Sequence, residues 1–212
     1  MMMPQHTQQE SIMSGLTLYT NAMSRGNTVD LFLKILDVPY QRVELDYGAD
    51  MHTPKYLAIN PMGKVPALTD GDRVITETVA ICMYLADKFI EKGFAPAIDS
   101  PERGTYYRWF LFTAGPVEAA FTAKEMGQIL TEEEQKMSGF GSFDRVMACL
   151  ETGLADAAPY LCGNTMTAVD VYTGYFLMFL AKHDLITISP VMKAYLDSLT
   201  LNPAFAAAFS GE

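Results

Sequence analysis

Asn60-Pro61-Met62-Gly63-Lys64-Val65-Pro66-Ala67-Leu68, followed by Thr76-Glu77-Thr78, is the stretch on which the reading of this chain turns. Pro66 stands directly before a short apolar run. It cannot donate to a sheet ladder, so it belongs at the first residue or the edge of a strand. It also pushes Val65 toward an extended conformation. The Val65-Pro66 bond is expected to be cis, which folds the loop back and turns the main-chain N–H and C=O of Val65 outward. Thr69-Asp70-Gly71-Asp72 reads as a hairpin turn, residues 73–76 as a strand, and Glu77-Thr78 as the opening of a helix. An exposed backbone edge beside a helix N-terminus suits an extended peptide that carries a carboxylate.

Upstream, residues 16–19 alternate apolar and polar, as a strand does. Ser24 is a good N-cap. Val29, Phe32, Leu33 and Leu36 then repeat at helical spacing, and residues 41–45 alternate again. A strand, a helix and a strand within about 30 residues make a βαβ unit with parallel strands. Thr53-Pro54 reads as the N-cap and first residue of a short helix. Downstream, a helix from about 77 to 89 gives way to a Gly- and Pro-containing linker. After it every pattern is helical. Ser100-Pro101-Glu102 starts a long helix, to about 124, with a bend expected near Gly115-Pro116. Thr131-Glu132-Glu133-Glu134 and Thr167-Ala168-Val169-Asp170 are capping boxes. Ser189-Pro190 and Asn202-Pro203 start the last two helices. The run through Phe176, Leu177 and Leu180 is apolar nearly all round, as a buried central helix is.

The residues 60–68 and Glu77-Thr78-Val79-Ala80-Ile81, at this separation, resemble the glutathione-binding signature of the cytosolic glutathione S-transferase superfamily. Ser24-Arg25 at the end of the first strand resembles its bacterial and fungal Ser-Arg branch. The resemblance runs from about Leu16 to the C-terminus and implies an α+β protein. A tail over 1–15 precedes a thioredoxin-like βαβ-α-ββα domain over 16–90 that binds glutathione. A linker over 91–100 leads to an all-α bundle over 101–212 that carries the acceptor pocket.

It further implies that Val65 pairs its backbone with the cysteinyl unit beside Pro66. Glu77 meets the γ-glutamyl ammonium, Thr78 its carboxylate, and Lys64 the glycyl carboxylate. Ser24 is the catalytic residue, donating to the sulfur so that it stays a thiolate. A free thiol has a pKa near 8.5 and is about 3% ionised at pH 7. Lowering that by about two units needs roughly 2.7 kcal/mol. Read from position alone, Ser24 is an ordinary cap. Tyr19 is a rival phenol inside its strand, and Cys82 reads as a small core residue. Asn21, Met23 and the helix bearing Tyr106, Tyr107, Phe110 and Leu111 are candidates for the acceptor pocket. Relatives carry a His in the loop before the second helix; here Met51 holds that position and His52 follows it.

The chain has 212 residues, half of them hydrophobic, and a formal charge of −10. That balance argues against nucleic acid or an anionic membrane as partner. Three scattered cysteines give neither a disulfide framework nor a zinc site, and the spacing of the three histidines gives no metal site. The expected protein is a cytoplasmic homodimer whose glutathione thiolate attacks a small electrophile. The alternatives are a glutathione-fold interaction module with little turnover, or a glutathione-dependent peroxide or disulfide reductase.

Overall fold

A computed structural model of the chain describes residues 15–209; the expected tail lies outside that span, Gly15 excepted. Strand β1 (Leu16–Thr20), helix α1 (Gly26–Leu36) and strand β2 (Gln41–Glu44) form the expected βαβ unit, with β1 and β2 parallel. Val29, Phe32, Leu33 and Leu36 of α1 are all fully buried. Each such side chain contributes about 1.5–3 kcal/mol on leaving water, so this stripe is a large part of what holds the helix in the core.

After a 3-10 turn at Asp50–His52 comes the short α2 (Pro54–Leu57), capped by Thr53. Then follow β3 (Ala67–Asp70), β4 (Arg73–Thr76) and α3 (Thr78–Lys88). The sheet order is β2-β1-β3-β4, with β3 antiparallel to both β1 and β4. The two central strands are buried. The two edge strands carry Arg42, Glu44 and Arg73, charges that discourage further strand addition. The β3–β4 hairpin turns at Gly71, whose φ of 58° a side chain would resist.

The remainder is helical: α4 (Glu102–Phe112), α5 (Glu118–Glu125), α6 (Glu132–Met137), α7 (Phe143–Ala155), α8 (Ala168–Lys182), α9 (Pro190–Leu199) and α10 (Pro203–Ala207). The expected bend between α4 and α5 is a five-residue π-helical turn, Thr113–Val117, around Pro116. Proline has no N–H for the i→i−4 ladder, and the chain widens there instead of breaking. The caps expected at Thr131, Ser189 and Asn202 accept first-turn N–H groups. Asp170, fully buried at the start of α8, accepts from the N–H of Leu161 and of Thr167 at 2.8 Å each. Ten residues of α8 are buried, as its all-round apolar sequence requires.

The layout is thioredoxin-like in the first part and mostly helical afterwards. One hydrophobic core runs through both, from Leu16 and Phe32 to Tyr195 and Leu199. Arg103 on α4 reaches back to Asp87 of α3, at 2.6 Å, and to the carbonyl of Pro96. Trp109 fills the space that a side chain on Gly153 would take: a Cβ there would lie 1.9 Å from its ring. A second cis bond, Ala158-Pro159, was not foreseen.

Candidate functional site

The loop before β3 is organised by Asn60. Its side chain accepts from the N–H of Met62 and donates to the carbonyl of Lys64 at 2.7 Å. The Tyr56 hydroxyl donates to the same carbonyl at 2.6 Å. Gly63 takes φ 60°, where a Cβ would also press the carbonyl of Met51 at 3.1 Å. The Val65-Pro66 bond is cis, as expected. The loop is thus held from inside, and its edge faces a cleft of about 470 Å³.

The main-chain side of that cleft consists of Asn60, Lys64, Val65 and Pro66, with Glu77, Thr78 and Val79 at the start of α3. Glu77 has φ 67°, a left-handed conformation that costs a non-glycine residue about 1–3 kcal/mol. No side chain caps the first N–H groups of α3. They remain available to a carboxylate, which the positive end of the helix dipole favours. Lys64 is exposed.

The opposite side consists of Arg25, Ala114, Glu118 and Tyr172. Arg25 and Glu118, on α1's approach and at the start of α5, form an ion pair through Arg25 Nη1. The guanidinium also lies over the Phe176 ring, 5.5 Å from its centroid. Burial pulls the Arg25 pKa down, against the influence of the Tyr172 and Tyr47 phenols; guanidinium remains charged at neutral pH all the same. Tyr172 is 3% exposed, and burial pushes its phenol up to about 12.

The structure brings together five of the six predicted site residues: Lys64, Val65, Pro66, Glu77 and Thr78 line one cleft. Ser24, next to Arg25 in the chain, is not among the residues that line it. It is not the N-cap, because α1 begins at Gly26 with Arg25 in the cap position. Its hydroxyl donates to the carbonyl of Asn21 at 2.7 Å and accepts from the N–H of Gly26 at 3.0 Å. Gly26 has no room for a side chain, since a Cβ would lie 2.0 Å from Thr20 Oγ1.

Tyr19 packs on Tyr56, ring centroids 5.8 Å apart. Cys82 is fully buried, with its thiol pushed up to about 12 by that burial, which removes it as a nucleophile. His52 is exposed, its Nδ1 2.6 Å from the carbonyl of Gly48, while Met51 belongs to a small core cluster with Tyr56 and Ala67. Tyr106 and Phe110 are core, Met23 and Leu111 point to solvent, and Asn21 holds Leu45. The helix bearing Tyr106 contributes none of its four candidate side chains to the cleft. Arg25, Glu118 and Tyr172 were missed. The available signal was weak: the Arg beside Ser24, and Tyr172 as one of three hydroxyl residues in the mostly apolar α8.

A family model for the glutathione S-transferase N-terminal domain matches residues 14–87. A zeta-class glutathione S-transferase of Euphorbia esula is 48% identical over 69 residues, 32% of this chain and 30% of that protein. That stretch spans under a third of that relative's length. Glutathione S-transferase F10 of Arabidopsis thaliana is 26% identical over 208 residues, covering 90% of this chain and 94% of that one. Among solved structures, a glutathione transferase from Methylococcus capsulatus superposes with a TM-score of 0.73 at 27% identity. It covers 91% of this chain and 96% of its own. The motif, the sheet order, the cis Val65-Pro66 edge and these likenesses agree, and the chain belongs to the cytosolic glutathione S-transferase superfamily.

Proposed function

We propose that this protein is a glutathione transferase of the Ser-Arg branch, with glutathione as co-substrate. Its thiolate attacks a small electrophile, and the enzyme works by positioning and thiolate stabilisation. The observation that carries this reading is the convergence of the Val65 edge and the uncapped start of α3 on one cleft. Val65 pairs its main chain with the cysteinyl unit, next to Pro66. Glu77 takes the γ-glutamyl ammonium, Thr78 and the α3 N–H groups its carboxylate, and Lys64 the glycyl carboxylate. Ser24 turns its hydroxyl from Asn21 to the sulfur. Residues 16–90 form the glutathione-binding domain, 91–100 the linker, and 101–212 the domain that completes the acceptor pocket.

Calorimetry with glutathione, paired with an assay of thioether formation from 1-chloro-2,4-dinitrobenzene, tests this. Saturable binding and turnover are expected. Absence of both overturns the reading, and binding without turnover points instead to an interaction module. The protein works as a cytoplasmic homodimer. Apolar Met62 and Val74 on the first domain and Tyr107 and Leu111 on α4 are exposed in the single chain, which supports a partner there. Sedimentation at micromolar concentration should give twice the 23.4 kDa chain mass. Among the described residues no helix is long and apolar enough to cross a membrane.

A further inference from the structure

The carbonyl of Asn21 and the N–H of Ala22 belong to one planar peptide group, so neither turns without the other. The carbonyl accepts from the Ser24 hydroxyl at 2.7 Å and from the Ser24 N–H at 2.9 Å. On the opposite edge of the same group, the Ala22 N–H donates to Glu44 Oε1, at the end of β2. The other Glu44 oxygen pairs with Arg42 Nη1. Arg42 Nε in turn lies 3.3 Å from Asp30 Oδ1, on α1. Asp30 is only 8% exposed, and it also accepts from the Tyr40 hydroxyl at 2.7 Å and from Lys34 at 2.7 Å. A buried carboxylate needs such donors. Here one of them links the body of α1, through two more side chains, to the middle of the loop that precedes the helix.

Other groups tie this loop, but at other points. The Asn21 amide donates to the carbonyl of Leu45 at 2.8 Å, the Asn27 amide to that of Ala22 at 2.6 Å, and the Tyr47 hydroxyl to that of Met23 at 3.3 Å. Among the described residues Glu44 is the one acceptor of the Ala22 N–H. Asp30, Arg42 and Glu44 are not among the residues that line the cleft, so their arrangement is not explained by contact with anything bound there.

We propose that Glu44, oriented by Arg42 and Asp30, is a positioning residue for thiolate stabilisation by Ser24; the inference rests on the glutathione reading above. In that reading the Ser24 hydroxyl leaves the Asn21 carbonyl and donates to the sulfur. Its oxygen is then held by the N–H groups of Gly26, at 3.0 Å, and of Asn21, at 3.3 Å. The Asn21 carbonyl still holds the Ser24 N–H. Its direction therefore sets where Ser24 stands when the hydroxyl turns. A bond from Ala22 to a carboxylate is charge-assisted and stronger than one to a neutral acceptor. It resists rotation of the peptide group about the chain. Without it, opposed changes in ψ of Asn21 and φ of Ala22 swing the carbonyl and carry Ser24 along. A donor of this kind has to be held to within about 0.5 Å of its productive place.

The test measures glutathione turnover with 1-chloro-2,4-dinitrobenzene in variants made with and without Ser24→Ala. Glu44→Ala should lower kcat about 3- to 20-fold and leave KM for glutathione within about twofold. The pKa of the bound thiol, followed by thiolate absorbance, should rise toward its free value. Glu44→Gln keeps a neutral acceptor and should recover most of the loss. Arg42→Gln, one step further back, should give a smaller loss in the same direction, and it serves if Glu44→Ala folds poorly. In the Ser24→Ala background, Glu44→Ala should cost under about twofold further, because its effect passes through the missing hydroxyl. An equal loss in both backgrounds, an unmoved thiol pKa, or a lowered melting temperature with unchanged kcat each overturn the positioning role and leave the glutathione reading intact. So does an active enzyme that Ser24→Ala fails to slow. An unmodified protein that neither binds glutathione in calorimetry nor turns it over overturns the reading itself, and this inference with it.

Discussion

On one side of the cleft, the 60–66 loop and the start of α3 offer main-chain groups; on the other, Arg25, Glu118 and Tyr172 offer side chains from the cap of α1 and from α5 and α8. The first side is assembled within 20 residues, from Asn60 to Val79. Its conformation is dictated by residues that constrain the backbone locally: Asn60, Gly63, Pro66 and Glu77. The second side is assembled by packing. Arg25 and Glu118 are 93 positions apart, and Tyr172 is further still. A site made of backbone recognises what its substrates share, here a peptide. A site made of side chains recognises what distinguishes them, and it can be changed one residue at a time.

The largest effect should come from the one acidic side chain on the main-chain side. Glu77→Ala is expected to weaken glutathione binding by roughly 1.5–3 kcal/mol, the range for hydrogen bonds to charged groups. An unchanged dissociation constant in calorimetry would mean that this side needs no side chain at all. Ser24→Ala, at the junction of the two sides, should cost about 10- to 100-fold in rate, or roughly 1.4–2.7 kcal/mol. The pKa of bound glutathione, followed by thiolate absorbance, should rise toward its free value. Affinity near pH 6 should hold, since the thiol form needs no such donor. Full activity with an unmoved thiol pKa would leave Ser24 as a structural link between Asn21 and Gly26.

Next in size is the frame behind the main-chain side. Asp70, at the end of β3, accepts from Tyr84 Oη at 2.5 Å and pairs with Lys88, both on α3. The bond from Lys88 and then that from Tyr84 hold its carboxyl below the usual range. The sign follows. A carboxyl with a depressed folded pKa stabilises the protein above its unfolded value of 3.8 and loses that contribution as pH falls through the folded value. Asp70→Asn should therefore cost about 1–2 kcal/mol in denaturant melts at pH 7, and the gap to the unmodified protein should close below about pH 4. A gap that does not narrow at all as pH falls below about 4 would mean that shape, not charge, holds the frame. The smallest effect is expected of exposed Lys64. Lys64→Ala should weaken glutathione binding by about 1 kcal/mol or less, and the difference should fade in high salt.

The same contrast decides what could be read from sequence. The order of strands, the hairpin at Gly71, the cis Val65-Pro66 bond and the caps at Thr53, Thr131, Ser189 and Asn202 were all legible. Each rests on proline, glycine or a short polar side chain acting on its own backbone. The acceptor side was not. Tyr106 and Phe110 carry the right chemistry on a helix near the cleft, yet packing consumes both. Tyr107 and Leu111, on the same helix, are exposed. The first turn of α1 was misjudged for a related reason. Ser24 has the composition of a cap, but the helix starts at Gly26, one residue later than a Ser24 cap would place it, and the hydroxyl bonds Asn21 and Gly26. Rotational phase of long-range partners is invisible to a one-dimensional pattern.

The π-helical turn at Thr113–Val117 gives that phase a physical lever. An α-helix advances about 100° per residue, and a turn closed over one extra residue delays everything after it by that angle. Glu118 is the first residue past the delay. Conversion of the turn to ordinary α-helix, with no residue lost, would leave every lining side chain in place by name. It would still swing Glu118 about 100° around the axis, away from Arg25. Which side chains face the cleft is thus governed partly by arithmetic: by how many residues one turn closes over as well as by which residues those are.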